Sequence, residues 1–140
     1  MNAVCILLAG SLRATLPAQE FTVAWMHSVE KTRWEERYHV EGHSLVLDRA
    51  RVEGSGAGMD PAAGAKLEGG WWTWRPRGAP LPELKLTISP YTSDYDICFA
   101  GRCTALHVLA QTSRAPALAV IRPCDGARRA QSAGGEQVRR

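Results

Sequence analysis

The hydrophobic period restricts this chain more than any other feature. Apolar side chains recur at every second residue, and no window of a dozen residues carries the i, i+3, i+4 stripe of an amphipathic helix. A period of two places alternate side chains on opposite faces of an extended strand. Phe21, Val23, Trp25, His27 and Val29 share one face, with Thr22, Ala24, Met26 and Ser28 on the other. Trp34, Glu36, Tyr38 and Val40 then alternate against Glu35, Arg37, His39 and Glu41. Ala3–Ala9 reads as an all-apolar first strand, Leu12–Leu16 as a second stopped by Pro17, and Ser44–Val52 as a strand after Gly42-His43. Further strands are expected at Lys66–Arg75 (interrupted at Gly69–Gly70), Glu83–Ser89, Asp94–Phe99 and Arg102–Leu109, with an edge strand at Val120–Pro123. About nine short strands with frequent turn signals predict one all-β domain over residues 1–124, an antiparallel sandwich or partly open barrel.

Composition narrows the function classes. With 140 residues and 45% hydrophobic content the chain can build a core. The longest apolar run, Ala3–Ala9, is far short of the ~18 to 20 residues of a membrane span. From Asp125 onward four arginines (128, 129, 139 and 140) face two acids (125 and 136), so this stretch carries +2 of the formal +3 and reads as a disordered basic tail, 125–140. The remainder is close to neutral, which argues against a broad nucleic-acid face. The first basic residue, Arg13, follows the apolar start instead of preceding it, so no signal peptide is evident; the default compartment is the cytoplasm, with the periplasm as the alternative.

Strand register supplies a candidate site. Four residues, Glu30-Lys31-Thr32-Arg33, suit a hairpin loop, and closing it there sets Trp25 opposite Tyr38 and His27 opposite Glu36. Gly42-His43 suits a two-residue loop of the II′ kind, which sets Tyr38 opposite Leu47 and Glu36 opposite Arg49. His27, Glu36 and Arg49 would then form one row on an otherwise apolar face, where a carboxylate must be paired. The row is either a polar network that fixes the sheet or the floor of a ligand site, with His27 as acid, base or donor. The Gly54–Met59 loop would roof it; free N–H groups there, at Gly56 and Gly58, can cradle an anion, with Arg49 or Arg51 meeting the charge.

Other chemistry is thinly represented. His27 and Ser28 point to opposite faces, and no G-x-S-x-G turn exists. The glycine loop has neither dinucleotide nor P-loop spacing. The four histidines show no ligand spacing, so neither metal nor cofactor is expected. Trp71, Trp72 and Trp74 can stack on a sugar or base, or form core. Ala100-Gly101 reads as a two-residue turn that brings Cys98 opposite Cys103, leaving Cys5 and Cys124 on the first and last strands as the other couple. Oxidation depends on compartment; in a reducing one all four are thiols.

His27-Ser28-Val29-x-Lys31, Trp34-Glu35-Glu36 and Gly54-Ser-Gly-Ala-Gly-Met59 together resemble the bacterial family called domain of unknown function 1850. Gly69-Gly70-Trp71-Trp72, Ser89-Pro90-Tyr91-Thr92 and Cys98-x4-Cys103 resemble its proteobacterial members, over roughly Ala3 to Cys124. The resemblance implies no assigned activity and no catalytic residues. It does imply an accessory role in organic-anion uptake, because members are often encoded beside TAXI-type tripartite ATP-independent periplasmic transporters. The expected function is a non-enzymatic accessory or ligand-binding module whose partners are solute-transporter components or a small organic anion. The alternative is a small hydrolase or isomerase using His27 and Glu36 as an acid–base pair. A third, weaker option is single-stranded nucleic-acid binding through Trp71–Trp74 and the tail. Binding is preferred because the sequence offers no nucleophile or metal set.

Overall fold

The structure, a computed structural model, describes residues 2–27, 31–54, 64–76 and 78–125. Eleven strands and one short helix are formed among them: β1 (Asn2–Leu8), β2 (Ser11–Leu16), β3 (Glu20–Met26), β4 (Arg33–Glu41), β5 (Ser44–Glu53), β6 (Lys66–Glu68), β7 (Trp71–Trp74), β8 (Leu84–Ile88), β9 (Asp96–Phe99), β10 (Arg102–Ala105), α1 (Leu106–Leu109) and β11 (Ala117–Asp125). They make two antiparallel sheets, ordered β2-β1-β11-β8 and β10-β9-β3-β4-β5-β7-β6, which do not close into a barrel. Of the two expected architectures the sandwich is the one formed.

Alternation explains the packing. Val4, Ile6 and Leu8 of β1, with Ala119 and Ile121 of β11, face Phe21 and Val23 of β3 and Tyr38 and Val40 of β4 across a shared core. Burying such side chains contributes about 1.5 to 3 kcal/mol each, and this is what holds one sheet on the other. Phe21 stacks on Tyr38 across the β3–β4 ladder at 5.5 Å between ring centroids, and Trp25 on Trp34 at 6.2 Å.

Two expected elements differ. Arg102–Leu109 is a strand only to Ala105, then turns once as α1; Leu106 and Ala110, at helical spacing, are both fully buried. Asp94 favours that turn, because its Oδ2 accepts both the His107 backbone N–H at 2.9 Å and the His107 ring Nδ1–H at 2.7 Å. The last strand is not an edge: β11 runs from Ala117 to Asp125 between β1 and β8. Pro123 is tolerated there because the β8 pairing ends at Ile121, so only β1 flanks the proline. The tail beyond Asp125 lies outside the described residues.

The hairpin turns are as their sequences require. Gly42 has φ +64°, the left-handed position of a two-residue loop that pairs Glu41 with Ser44. Ala100 and Gly101 both have positive φ, and Cys98 pairs with Cys103. Those two cysteines form a disulfide with Cα atoms 4.0 Å apart, and Cys5 and Cys124 form another, 5.8 Å apart, between β1 and β11.

Candidate functional site

The site begins with a bulge. β5 pairs with β4 in the expected register from Glu41↔Ser44 to Tyr38↔Leu47, but the next pair is Arg37↔Arg49, so Asp48 is an extra residue in β5. The slip reverses the faces beyond it. Ala50 and Val52 are buried in the interior, while Arg49 and Arg51 join Arg37 and Glu35 on the outer face of the seven-stranded sheet. Burying two arginines under that sheet would be far costlier than one local irregularity. The signal is readable in retrospect: the inward residues Leu45 and Leu47 are spaced by two, but Leu47 and Ala50 by three.

Pairing across the sheet then assembles two outward rows. One runs Ala24, Glu35, Arg51, Thr73, Lys66, and the other Thr22, Arg37, Arg49. Between them lies an open trough of about 820 Å³, lined by Arg37, Arg49, Arg51, Lys66 and Arg75 against two carboxylates, Glu35 and Glu68. Glu35 is bridged by Arg51 Nε at 2.8 Å and Arg33 Nε at 2.9 Å. Burial alone would raise its carboxyl; the hydrogen bonds and charges of Arg33 and Arg51 outweigh that and hold it below the ordinary value. Arg51 also lies over the Trp71 ring, 3.9 Å from its centroid. Arg37 is paired with Glu20. Among the described residues Arg49 has no acidic partner, and it stands exposed at the centre of the sheet.

The expected row of His27, Glu36 and Arg49 is not formed. β3 and β4 pair four residues away from the expected register, Trp25 with Trp34 and Val23 with Glu36. The loop has the expected length but closes two residues earlier, between His27 and Thr32, where the His27 N–H donates to the Thr32 carbonyl at 2.8 Å. His27 and Glu36 therefore keep the same face but stand four residue pairs apart, roughly 13 Å along the strands. Arg49 lies on the opposite face from Glu36, which faces Ala50. Gly56 and Gly58 lie outside the described residues.

Each member has a different neighbourhood. Glu36 accepts a hydrogen bond from the Tyr38 hydroxyl at 2.9 Å. Burial, then the Glu36 charge and that hydrogen bond, push the Tyr38 phenol up; burial and the charges of Glu36 and Asp94 do the same to Tyr95. His27 sits 6.2 Å from the Trp34 ring and lines a groove with Met26, Lys31 and Tyr91. Among the described residues, no three His, Cys, Asp or Glu side chains converge as a metal site would need, and no helix is long and apolar enough to cross a membrane. Trp72 faces Val52 and Leu67 across its sheet, and the Trp74 ring meets Trp34 edge-on.

The sequence model of the family described as Domain of unknown function (DUF1850) matches residues 21–106, a shorter span than the resemblance at Ala3 to Cys124. No curated protein matches the chain, and no solved structure does.

Proposed function

We propose, from the premise that this chain belongs to the DUF1850 family, a domain of unknown function, that it is a non-enzymatic module binding a small organic anion in the outer trough. The observation that carries the reading is Arg49: an arginine without an acidic partner among the described residues, at the centre of a trough with five cationic side chains and two carboxylates. A guanidinium offers two parallel N–H donors to a carboxylate, and Arg51, stacked over Trp71, lies on the neighbouring row as a second cation. Lys66 and Arg75 add charge for an anion with more than one carboxylate. The trough is open, so affinity is expected to be modest and salt-dependent. The TAXI-type association that the family resemblance carries is consistent with an organic-anion cargo and an accessory role beside such a transporter. Two disulfides support an oxidising compartment such as the periplasm for this module. Acid–base catalysis by His27 and Glu36 is not proposed, because the two side chains do not meet.

Calorimetric titration of the full chain with citrate, succinate and benzoate at low salt tests the reading. One equivalent of a polycarboxylate should bind, and Arg49→Gln should weaken it at least about tenfold, or about 1.4 kcal/mol. Absence of binding by all three acids, or binding indifferent to Arg49→Gln, would sink the proposal.

A further inference from the structure

We propose that the Cys98–Cys103 disulfide is a redox-active site, opened and closed by exchange with a protein dithiol, with Cys103 as the sulfur attacked. The Cys5–Cys124 bridge is structural and stays closed. Their surroundings differ. Cys5 is 5% exposed on β1, which lies inside its sheet between β2 and β11. Cys103 is exposed on β10, which ends the order of the seven-stranded sheet, and Cys98 on β9 is half-buried. Cys98 pairs with Thr22, so the two cysteines extend the outward row of Thr22, Arg37 and Arg49 to the sheet edge. Both line a groove of about 430 Å³ with Thr22, Arg37 and the turn residues Ala100 and Gly101. Displacement at sulfur is in line, so the entering thiolate arrives from the side opposite the leaving sulfur. The bridge spans the β9–β10 ladder; beyond Cys98 the next strand is β3, and beyond Cys103 the sheet ends. Access therefore selects Cys103.

The hairpin does not depend on its bridge. The two cysteines are only 5 apart in sequence, against 119 for the other pair, so closing that loop adds little entropy. The ladder runs from Phe99↔Arg102 to Asp96↔Ala105, and Ile97 and Leu106, both fully buried, anchor its two sides. Opening the bridge thus leaves both sulfurs placed for reclosure. In the exchange, a thiolate of the dithiol attacks Cys103 Sγ, the bridge breaks, and its electron pair leaves on Cys98 Sγ. The second sulfur of the dithiol, as thiolate, then attacks the first and releases Cys103 as thiolate. Both cysteines end as thiols, holding the two electrons and two protons that the dithiol gives up in becoming a disulfide. The reverse sequence recloses the bridge. In an oxidising compartment the closed bridge is the resting state, and the dithiol partner supplies the electrons. The exchange needs no anion in the trough.

Treating the oxidised full chain with reduced thioredoxin or with dithiothreitol, then alkylating and mapping the cysteines by mass spectrometry, tests this. Thioredoxin should open Cys98–Cys103 at least about tenfold faster than Cys5–Cys124. It should also act at least about tenfold faster than dithiothreitol at equal thiol concentration. A thioredoxin lacking its second cysteine should be trapped on Cys103. The cooperative melting transition should persist with this bridge alone open. It should persist equally with Cys98→Ser and Cys103→Ser combined, a variant that should trap no thioredoxin. Equal rates with thioredoxin and dithiothreitol would mark a passively exposed bridge and overturn the proposal. So would capture on Cys98, no capture at all, or simultaneous opening of both bridges. Loss of the melting transition in the double variant would make the bridge structural and overturn it as well.

Discussion

Replacing Glu35 by Gln should move stability and anion affinity in opposite directions. The carboxylate has a side chain 17% exposed and accepts from two arginines, at 2.8 and 2.9 Å. The amide keeps one acceptor oxygen but no charge, so two charge-assisted hydrogen bonds are weakened and stability should fall by about 2 kcal/mol. The same change removes a negative charge from the trough wall. A unit charge about 8 Å from a bound carboxylate, at an effective dielectric of about 20, repels it by about 2 kcal/mol. Screening over a Debye length of about 8 Å at physiological salt leaves about 0.8 kcal/mol, roughly a fourfold gain in affinity. Urea unfolding and citrate titration of Glu35→Gln measure both quantities. Acid behaviour supplies a third readout. A carboxyl held below its unfolded value contributes stability that is present above about pH 4.5 and lost as pH falls through the folded value. The wild type should lose this contribution below about pH 4.5, and Glu35→Gln should not. If Glu35→Gln lowers stability and affinity together, Glu35 is positioning the anion site instead of opposing it, and the electrostatic reasoning fails.

Three further outcomes follow from the same coordinates. His39 is flanked by Glu41 on Nε2 and Asp48 on Nδ1, both at 2.9 Å, and hydrogen bonds to Glu41 and then Asp48 hold its imidazolium above the ordinary value. Its contribution, below about 1 kcal/mol for a partly exposed pair, is present below about pH 6.5 and lost as pH rises through the folded value; a His39→Gln chain with the same pH–stability curve as wild type would contradict this. Cys5 and Cys124 are 119 residues apart in sequence and Cys98 and Cys103 only 5, so loop-closure entropy assigns them about 5 and about 2 kcal/mol. Reducing the one bridge left in each double-serine variant and comparing urea midpoints checks that order, and equal losses would refute it. Deleting Asp48 keeps Leu47 inward, Arg49 outward and Ala50 inward in a regular ladder. Citrate affinity should then stay within about threefold, and a tenfold loss would show that the bulge itself shapes the trough.

Strand faces were legible in the sequence because a period of two is insensitive to shifts by an even number of residues. Phe21, Val23, Tyr38 and Val40 are interior although β3 and β4 pair four residues from the expected register. The Cys98–Cys103 and Tyr38–Leu47 pairs were legible because a two-residue turn leaves one register open. The β3–β4 register was not, because two positions accommodate a four-residue loop. The pairing that stacks Phe21 on Tyr38 and Trp25 on Trp34 prevails by uniting aromatic rings across the ladder. The expected site failed for a second reason. One extra residue at Asp48 turns Arg49 to the other face, and such a bulge shows in sequence only as a missed beat between Leu47 and Ala50. Arg51 was expected to meet an anion; Arg37, Lys66 and Arg75 were not singled out, because what unites them is sheet order, with β7 and β6 stacked beyond β5.

The bridge between Cys5 and Cys124 also decides how the fold responds to mechanical load. β1 and β11 are antiparallel neighbours, with Asn2 opposite Asp125, so the two ends of the described sandwich leave from one place. Tension entering before Cys5 and leaving after Cys124 passes through the sulfur–sulfur bond, and the strands between carry none of it. A tether at either end, to a partner or to a surface, would drag the sandwich as a rigid body. Pulling on the oxidised chain by its ends should therefore release no length from residues 5–124 until the bridge is cut, whereas the reduced chain would peel β1 from β11.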